Sequence, residues 1–304
     1  MCLRVDAFKK SKKTCEHHTL SLKPLINMLR NQPIRIFRIL LHGLLSACIG
    51  FVIAYSCLAL FALFFSDKLI FPRFDSSYVP QPSVQYVSTR DGERIAFIHR
   101  ANPRSEYTIL YSHGNGEDLG RIQGRLELLY KMGFSILAYD YPGYGLSSGK
   151  PTEKGTYAAI DALYAHATQA LKLDPKTLVL YGRSLGGGPS IDLAVREPVG
   201  GLVLEATFVS TFRVMTRYPL LPWDKYENLK KITSVNVPIL FLHGTADKTV
   251  PFWHSQVLWA NAGDPRYFLW VQDAGHNDLL DSSPELYQKS LSRLMRSIAD
   301  FKTR

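Results

Sequence analysis

Short runs that are apolar at nearly every position recur along the chain, and they constrain its fold more than any other feature. They occupy residues 107–112, 134–140, 177–181, 201–205, 237–242 and 267–271. Between and after them lie segments with helical spacing, at 120–132, 153–173, 190–196 and 284–302. A strand that is apolar on both faces must be covered on both faces, which is the situation in parallel sheets flanked by helices. The pattern therefore predicts an α/β chain with a mostly parallel, doubly covered sheet. Two alternating segments, 83–89 and 93–100, precede it and are joined through Asp91-Gly92, a hairpin signal. In such a sheet ligands gather at the carboxyl ends of the strands.

Directly after the run at 177–181 stands Gly182-Arg183-Ser184-Leu185-Gly186, followed by Gly187-Gly188 and a helix-like segment. Strand, sharp turn and helix around G-x-S-x-G are what a nucleophile elbow requires. The turn lifts the Ser184 hydroxyl above the sheet. The glycines are expected because a side chain there would strike the neighbouring strand and helix.

A serine hydroxyl needs a base to take its proton, and the base needs a carboxylate to fix its tautomer. Asp247 follows a strand in His243-Gly-Thr-Ala-Asp247, and His276 follows the last strand in Ala274-Gly275-His276. Ser184, Asp247 and His276 thus stand in the order Ser, Asp, His. Asp140 and Glu205 are rival acids, since each ends a strand; Glu205 is expected to be structural or to line the pocket, and Asp140 to fix the turn at 140–145. His254 is expected to pack at a helix start. The tetrahedral intermediate needs two N–H donors, predicted to be the backbone N–H groups of Leu185 and of Asn115 in the loop His113-Gly114-Asn115-Gly116.

Together, His113-Gly-Asn, Asp140-Tyr-Pro-Gly-Tyr-Gly, Gly-Arg-Ser184-Leu-Gly-Gly, His243-Gly-Thr-Ala-Asp247 and Gly275-His276 resemble the α/β-hydrolase superfamily. The branch most similar is the membrane-associated one that includes serine-aminopeptidase-like hydrolases and the protein depalmitoylases. The resemblance covers roughly residues 70–304. It implies an α/β-hydrolase fold and a Ser-His-Asp hydrolase that requires neither metal nor organic cofactor. The chain departs from the depalmitoylases at its N-terminus. They carry a cysteine cluster for lipid anchoring, whereas here Cys2 and Cys15 are sparse.

A different signal governs the start of the chain. Residues 39–66 are 28 residues without Lys, Arg, Asp or Glu, long enough to span a bilayer core. The stretch Leu45-Ser46-Ala47-Cys48 resembles a lipoprotein cleavage box, but the apolar run continues well past Cys48, unlike a cleaved signal. The expected organisation is a basic tail (1–38), a transmembrane helix (39–66) and a hydrolase domain (67–304) with a cap-like insertion at 207–236. That insertion reads equally as a cap over an acyl pocket and as a packed connection. Arg30, Arg35 and Arg38 precede the apolar run, so positive-inside reasoning puts the N-terminus in the cytoplasm and the catalytic domain on the other side.

The formal charge of +10 does not imply nucleic-acid binding. Residues 1–38 hold nine Lys/Arg against Asp6 and Glu16, which leaves only +3 for the rest. All four cysteines precede residue 58, so the body has neither a disulfide framework nor a thiolate zinc site. The expected partners are the membrane, through the N-terminal helix, and a small-molecule or lipid-like acyl substrate. The expected chemistry is ester or thioester cleavage. A serine peptidase or amidase of the same fold, and a catalytically silent membrane-anchored binding protein, are the alternatives.

Overall fold

The computed structural model describes residues 23–72 and 74–303, and the side chains of 32 and of 34 onward within that range. Residues 1–22, which hold most of the basic tail together with Cys2 and Cys15, lie outside the described residues, as do Arg73 and Arg304 and the side chain of Arg30. The chain divides into two units, one ending at Phe61 and the other beginning at Ala62.

The first helix, α1 (Lys23–Ile70), is longer than residues 39–66 at both ends. Lys, Arg and Leu are good helix formers, so the basic flank continues the helix rather than stopping it. Within α1, Ile34–Ile70 is long and apolar enough to cross a membrane, with a mean hydropathy of 2.4 in its best window.

The second unit is built on an eight-stranded sheet. Its strands are β1 (Val84–Ser88), β2 (Arg94–Arg100), β3 (Thr108–Ser112), β4 (Ser135–Tyr139), β5 (Leu178–Arg183), β6 (Gly201–Glu205), β7 (Ile239–Gly244) and β8 (Arg266–Val271). They lie in the order β1-β2-β4-β3-β5-β6-β7-β8. The pairs β1–β2 and β2–β4 are antiparallel and every other pair is parallel. The helices are α2 (Gln123–Lys131), α3 (Glu153–Ala165), α4 (Gly187–Arg196), α5 (Phe212–Met215), α6 (Asn228–Ile232), α7 (Trp253–Asn261), α8 (Leu279–Ser282) and α9 (Pro284–Lys302).

The continuous apolar strands serve two cores. Leu110, Leu137, Leu180, Leu202 and Phe241 face one side of the sheet, packed with residues of α3, α4, α6 and α7. Their neighbours Ile109, Ile136, Val179, Val203 and Leu240 face the other side, with residues of α2, α8 and α9. Successive strand residues point to opposite faces, so both sets must be apolar.

Two helices depart from the periodicity. The segment expected at 120–132 becomes helical only at Gln123, because Asp118 accepts from Arg121 N–H (3.0 Å) and Ser77 N–H (2.7 Å) and holds a turn there. The one expected at 153–173 is α-helical through Ala165, then widens into a π turn over His166–Ala170.

Candidate active site

Ser184 follows β5 directly and opens a 3-10 turn, Ser184–Gly186, that leads into α4. Its φ is +51°, the left-handed region that a side chain rarely occupies. The crowding that forces this is visible at the glycines. A Cβ on Gly186 would lie 2.0 Å from Ser112 O of β3, and one on Gly187 2.0 Å from Thr207 Oγ1. Thr207 Oγ1 also donates to the Ser184 carbonyl at 2.9 Å.

The three residues singled out by order meet in space. His276 Nε2 lies 3.1 Å from Ser184 Oγ, and His276 Nδ1 lies 2.7 Å from Asp247 Oδ2. The ionised Asp247 can only accept, so Nδ1 carries the proton and Nε2 faces the serine hydroxyl as an acceptor. The other carboxylate oxygen, Oδ1, accepts from Thr249 N–H and Val250 N–H, each at 2.8 Å. His243, not singled out from sequence, adds a further donor. Its Nε2 lies 3.2 Å from Asp247 Oδ2 and 2.9 Å from Val250 O, while Nδ1 meets Ser255 Oγ at 2.6 Å. Burial works against the Asp247 charge, but hydrogen bonds from His243, His276 and Val250 N–H outweigh it and hold the carboxyl well below the usual carboxylate range.

In the loop after β3, Gly114 N–H is taken by Glu117 Oε2 at 2.7 Å. Asn115 is exposed and its Oδ1 accepts from Tyr144 Oη at 3.3 Å. Its N–H donates to no other described residue. Leu185 N–H lies in the first turn of the 3-10 segment, where N–H groups have no helical partner.

Arg183 is the second residue that sequence reasoning missed, although it stands inside the elbow. Only 4% of its side chain is exposed. Nη1 donates to Glu117 Oε1 at 2.7 Å, and Nη2 to Asn277 Oδ1 at 2.6 Å and to the His276 carbonyl at 3.3 Å. One guanidinium thus joins the elbow, the loop after β3 and the loop carrying His276. A Cβ on Gly114 would sit 2.9 Å from Arg183 Nη1 and 2.8 Å from Glu117 Oε2, so a side chain there would push on both ends of this ion pair.

The rival acids lie outside the path from Ser184 through His276 to Asp247, although Glu205 Oε1 also sits 3.4 Å from Arg183 Nε. Glu205 is in register with Arg183 across β5 and β6, and its fully buried carboxylate takes Arg125 Nη1 at 2.8 and 3.0 Å. Tyr287 Oη donates to it at 2.9 Å and Tyr181 Oη also donates. Burial opposes its charge, but Arg125, Arg183 and the two phenols hold its pKa below the usual value. Asp140, rather than bonding only within its own turn, accepts from Leu119 N–H at 2.8 Å and from Tyr78 Oη. Burial pushes its carboxyl up to about 7. His254 is fully buried near the start of α7 and takes Val209 N–H at 3.3 Å, in line with a packing role. Among the described residues no group of three or more His, Cys, Asp or Glu side chains is arranged to hold a metal.

A strained serine after the fifth strand of a sheet in this order is the architecture of the α/β-hydrolases. The family model for serine aminopeptidase, S33, matches residues 103–225. The esterase Pf2001 of Pyrococcus furiosus has the same fold, with a TM-score of 0.63 at 20% identity over 75% of this chain and 99% of that one. Est1E of Butyrivibrio proteoclasticus, solved with ferulic acid bound, gives 0.59 at 17% identity over 70% and 99%. Sequence relatives are nearer. Human alpha/beta hydrolase domain-containing protein 17B is 37% identical over 217 residues, 69% of this chain and 73% of the relative. Its Xenopus tropicalis counterpart is 38% identical over 216 residues, with the same coverage. The chain belongs to the alpha/beta hydrolase domain-containing protein 17 family and is a hydrolase of the esterase type.

Proposed function

We propose that the chain is a membrane-anchored serine hydrolase that cleaves acyl esters or thioesters through Ser184, His276 and Asp247. The observation that carries this reading is the continuous hydrogen-bonded path from Ser184 Oγ through His276 to Asp247, at 3.1 and 2.7 Å. His276 Nε2 takes the hydroxyl proton as Ser184 Oγ attacks the acyl carbon, and Asp247 stabilises the imidazolium that forms. Leu185 N–H and Asn115 N–H receive the oxyanion; the engagement of Gly114 N–H by Glu117 favours Asn115 as the second donor. The intermediate collapses with the leaving group, which His276 protonates. Water then enters, gives its proton to His276 and releases the acid from the acyl-serine.

Esters and thioesters come first because their leaving groups need less help than an amine. The family model matched at 103–225 bears the name of an aminopeptidase, which keeps amide cleavage as a second reading. The α1 segment Ile34–Ile70 serves as the membrane anchor in this proposal, with the catalytic body on the non-cytoplasmic side. Residues 207–236 serve as a short cap beside an acyl pocket.

A fluorophosphonate probe and short-chain p-nitrophenyl esters test the proposal. Labelling is expected at Ser184, and Ser184→Ala is expected to lose both labelling and turnover. A wild-type chain that neither labels nor hydrolyses any of these esters refutes it, and faster turnover of aminoacyl amides than of esters selects the second reading.

A further inference from the structure

The end of α5 and the segment between it and α6 expose apolar side chains that nothing in the second unit covers. Met215 is 88% exposed, Tyr218 70%, Leu220 54% and Trp223 38%. Pro219 and Pro222 interrupt the segment, and it forms no regular structure between α5 and α6. Two arginines flank these side chains. Arg213 and Arg217 lie over the Trp253 ring at 5.1 and 5.8 Å, and neither pairs with a carboxylate of the described residues. Asp224, the nearest acid in sequence, spends its Oδ1 on Phe212 N–H and Lys225 N–H.

The far end of this segment is pinned beside the end of α1. Lys225 pairs with Asp67, and the Tyr226 ring packs on Phe71 at 6.5 Å. Asp67 is the first charged residue after the 28 uncharged ones, so in a spanning helix it marks the depth at which the bilayer gives way to water. Lys225 is therefore held at that depth. Trp and Tyr favour this zone, and Arg side chains reach headgroup phosphates from it. The segment also leaves the sheet just after β6, whose neighbour β5 delivers Ser184.

We propose that residues 215–223 form a second membrane-binding element. In it, Met215, Tyr218, Leu220 and Trp223 enter the interface of the bilayer that α1 spans, while Arg213 and Arg217 contact anionic headgroups. This rests on the reading of α1 as a membrane anchor. It gives the substrate a route, because an acyl group attached at the membrane surface meets the catalytic unit through an apolar edge instead of through water.

The full chain is reconstituted in nanodiscs that hold a single chain and contain phosphatidylglycerol and a lipid brominated along its acyl chain. Tryptophan quenching is expected, and the part due to this element is expected to vanish in Trp223→Phe. Exchange of phosphatidylglycerol for phosphatidylcholine is expected to reduce that part. Met215→Glu with Leu220→Glu is expected to slow hydrolysis of a vesicle-embedded acyl ester about tenfold more than it slows p-nitrophenyl acetate turnover, the equivalent of roughly 1.4 kcal/mol. An inserted chain whose quenching is the same with and without Trp223 overturns the proposal. So does quenching that appears only when discs hold two chains, which assigns the face to a second copy. Release of the chain by alkaline carbonate overturns the anchor and this element together. Loss of all esterase activity in the wild type refutes the hydrolase reading, while the quenching result still decides this one.

Discussion

Replacing Arg183 by Met removes the guanidinium while keeping an unbranched apolar stem. The variant removes the bonds to Glu117, Asn277 and the His276 carbonyl. Breaking a buried ion pair typically costs about 3–5 kcal/mol, because the abandoned partner stays charged. Here two facts lower the figure. Glu205 keeps Arg125, Tyr181 and Tyr287 as partners, and the Glu117 side chain is 24% exposed, so water can reach it. An estimate of about 3 kcal/mol follows, near the low end of that range. For a domain of this size that lowers Tm by roughly 6–12 °C. The kinetic effect is separate: the His276 loop and the loop after β3 both lose a tether, and a shift of about 1 Å at reacting groups costs on the order of a hundredfold. Thermal unfolding of the full chain in detergent, with kcat and KM for p-nitrophenyl butyrate, reads both quantities. The fall is expected in kcat with KM nearly unchanged, and Arg183→Lys, which keeps the charge but not the fork, should be intermediate. A Met variant within about 1 °C of wild type and with unaltered kcat refutes the argument, since a tether worth about 3 kcal/mol cannot vanish silently.

Gly186→Ala places a Cβ 2.0 Å from Ser112 O, so the elbow must move; a loss of about 3 kcal/mol or more is expected in denaturant titration, with esterase activity lost alongside. Asp140→Asn tests the carboxyl raised to about 7. The unfolded chain ionises near pH 4 and the folded chain near 7, so this group makes stability fall as pH rises through that window; the Asn variant should lack that component when urea midpoints at pH 5 and pH 8 are compared. His243→Ala removes one donor from Asp247, whose depressed pKa contributes stability that is present above the unfolded value and lost as pH falls through the folded one. Acid unfolding of that variant should begin at a higher pH than in wild type, and kcat should fall as Asp247 loses its fixed orientation.

Most of the sheet was legible because burial on both faces demands strands that are apolar throughout. Ser184, Asp247 and His276 were legible because each stands just past such a strand, where the topology brings strand ends together. Arg183, Glu117 and Asn277 were not, because their link exists only once three loops far apart in sequence converge. His243 could have been found, since it stands at i−4 from Asp247 at a strand end, but its role depends on the turn that brings its ring back to the carboxylate. The extent of α1 was underestimated because charged residues were read as a boundary of the helix, when they bound only its apolar part. The start of α2 depends on Asp118 and on a contact to Ser77, which local periodicity does not register.

Tyr287 of α9 shares Glu205 with Tyr181 of β5 and Arg125 of α2, so the last helix completes the polar cluster behind the nucleophile strand. This orders events during biosynthesis. The strand that presents Ser184 emerges long before either His276 or Tyr287, and until both arrive the proposed base is missing and a buried carboxylate lacks a partner. On the proposed reading, a nascent chain stays inert toward acyl groups until residue 276 has emerged and folded onto the strand ends. The same dependence makes α9 a poor place to truncate. A chain ended before Tyr287 would be damaged at the centre of its sheet, not only at its rim.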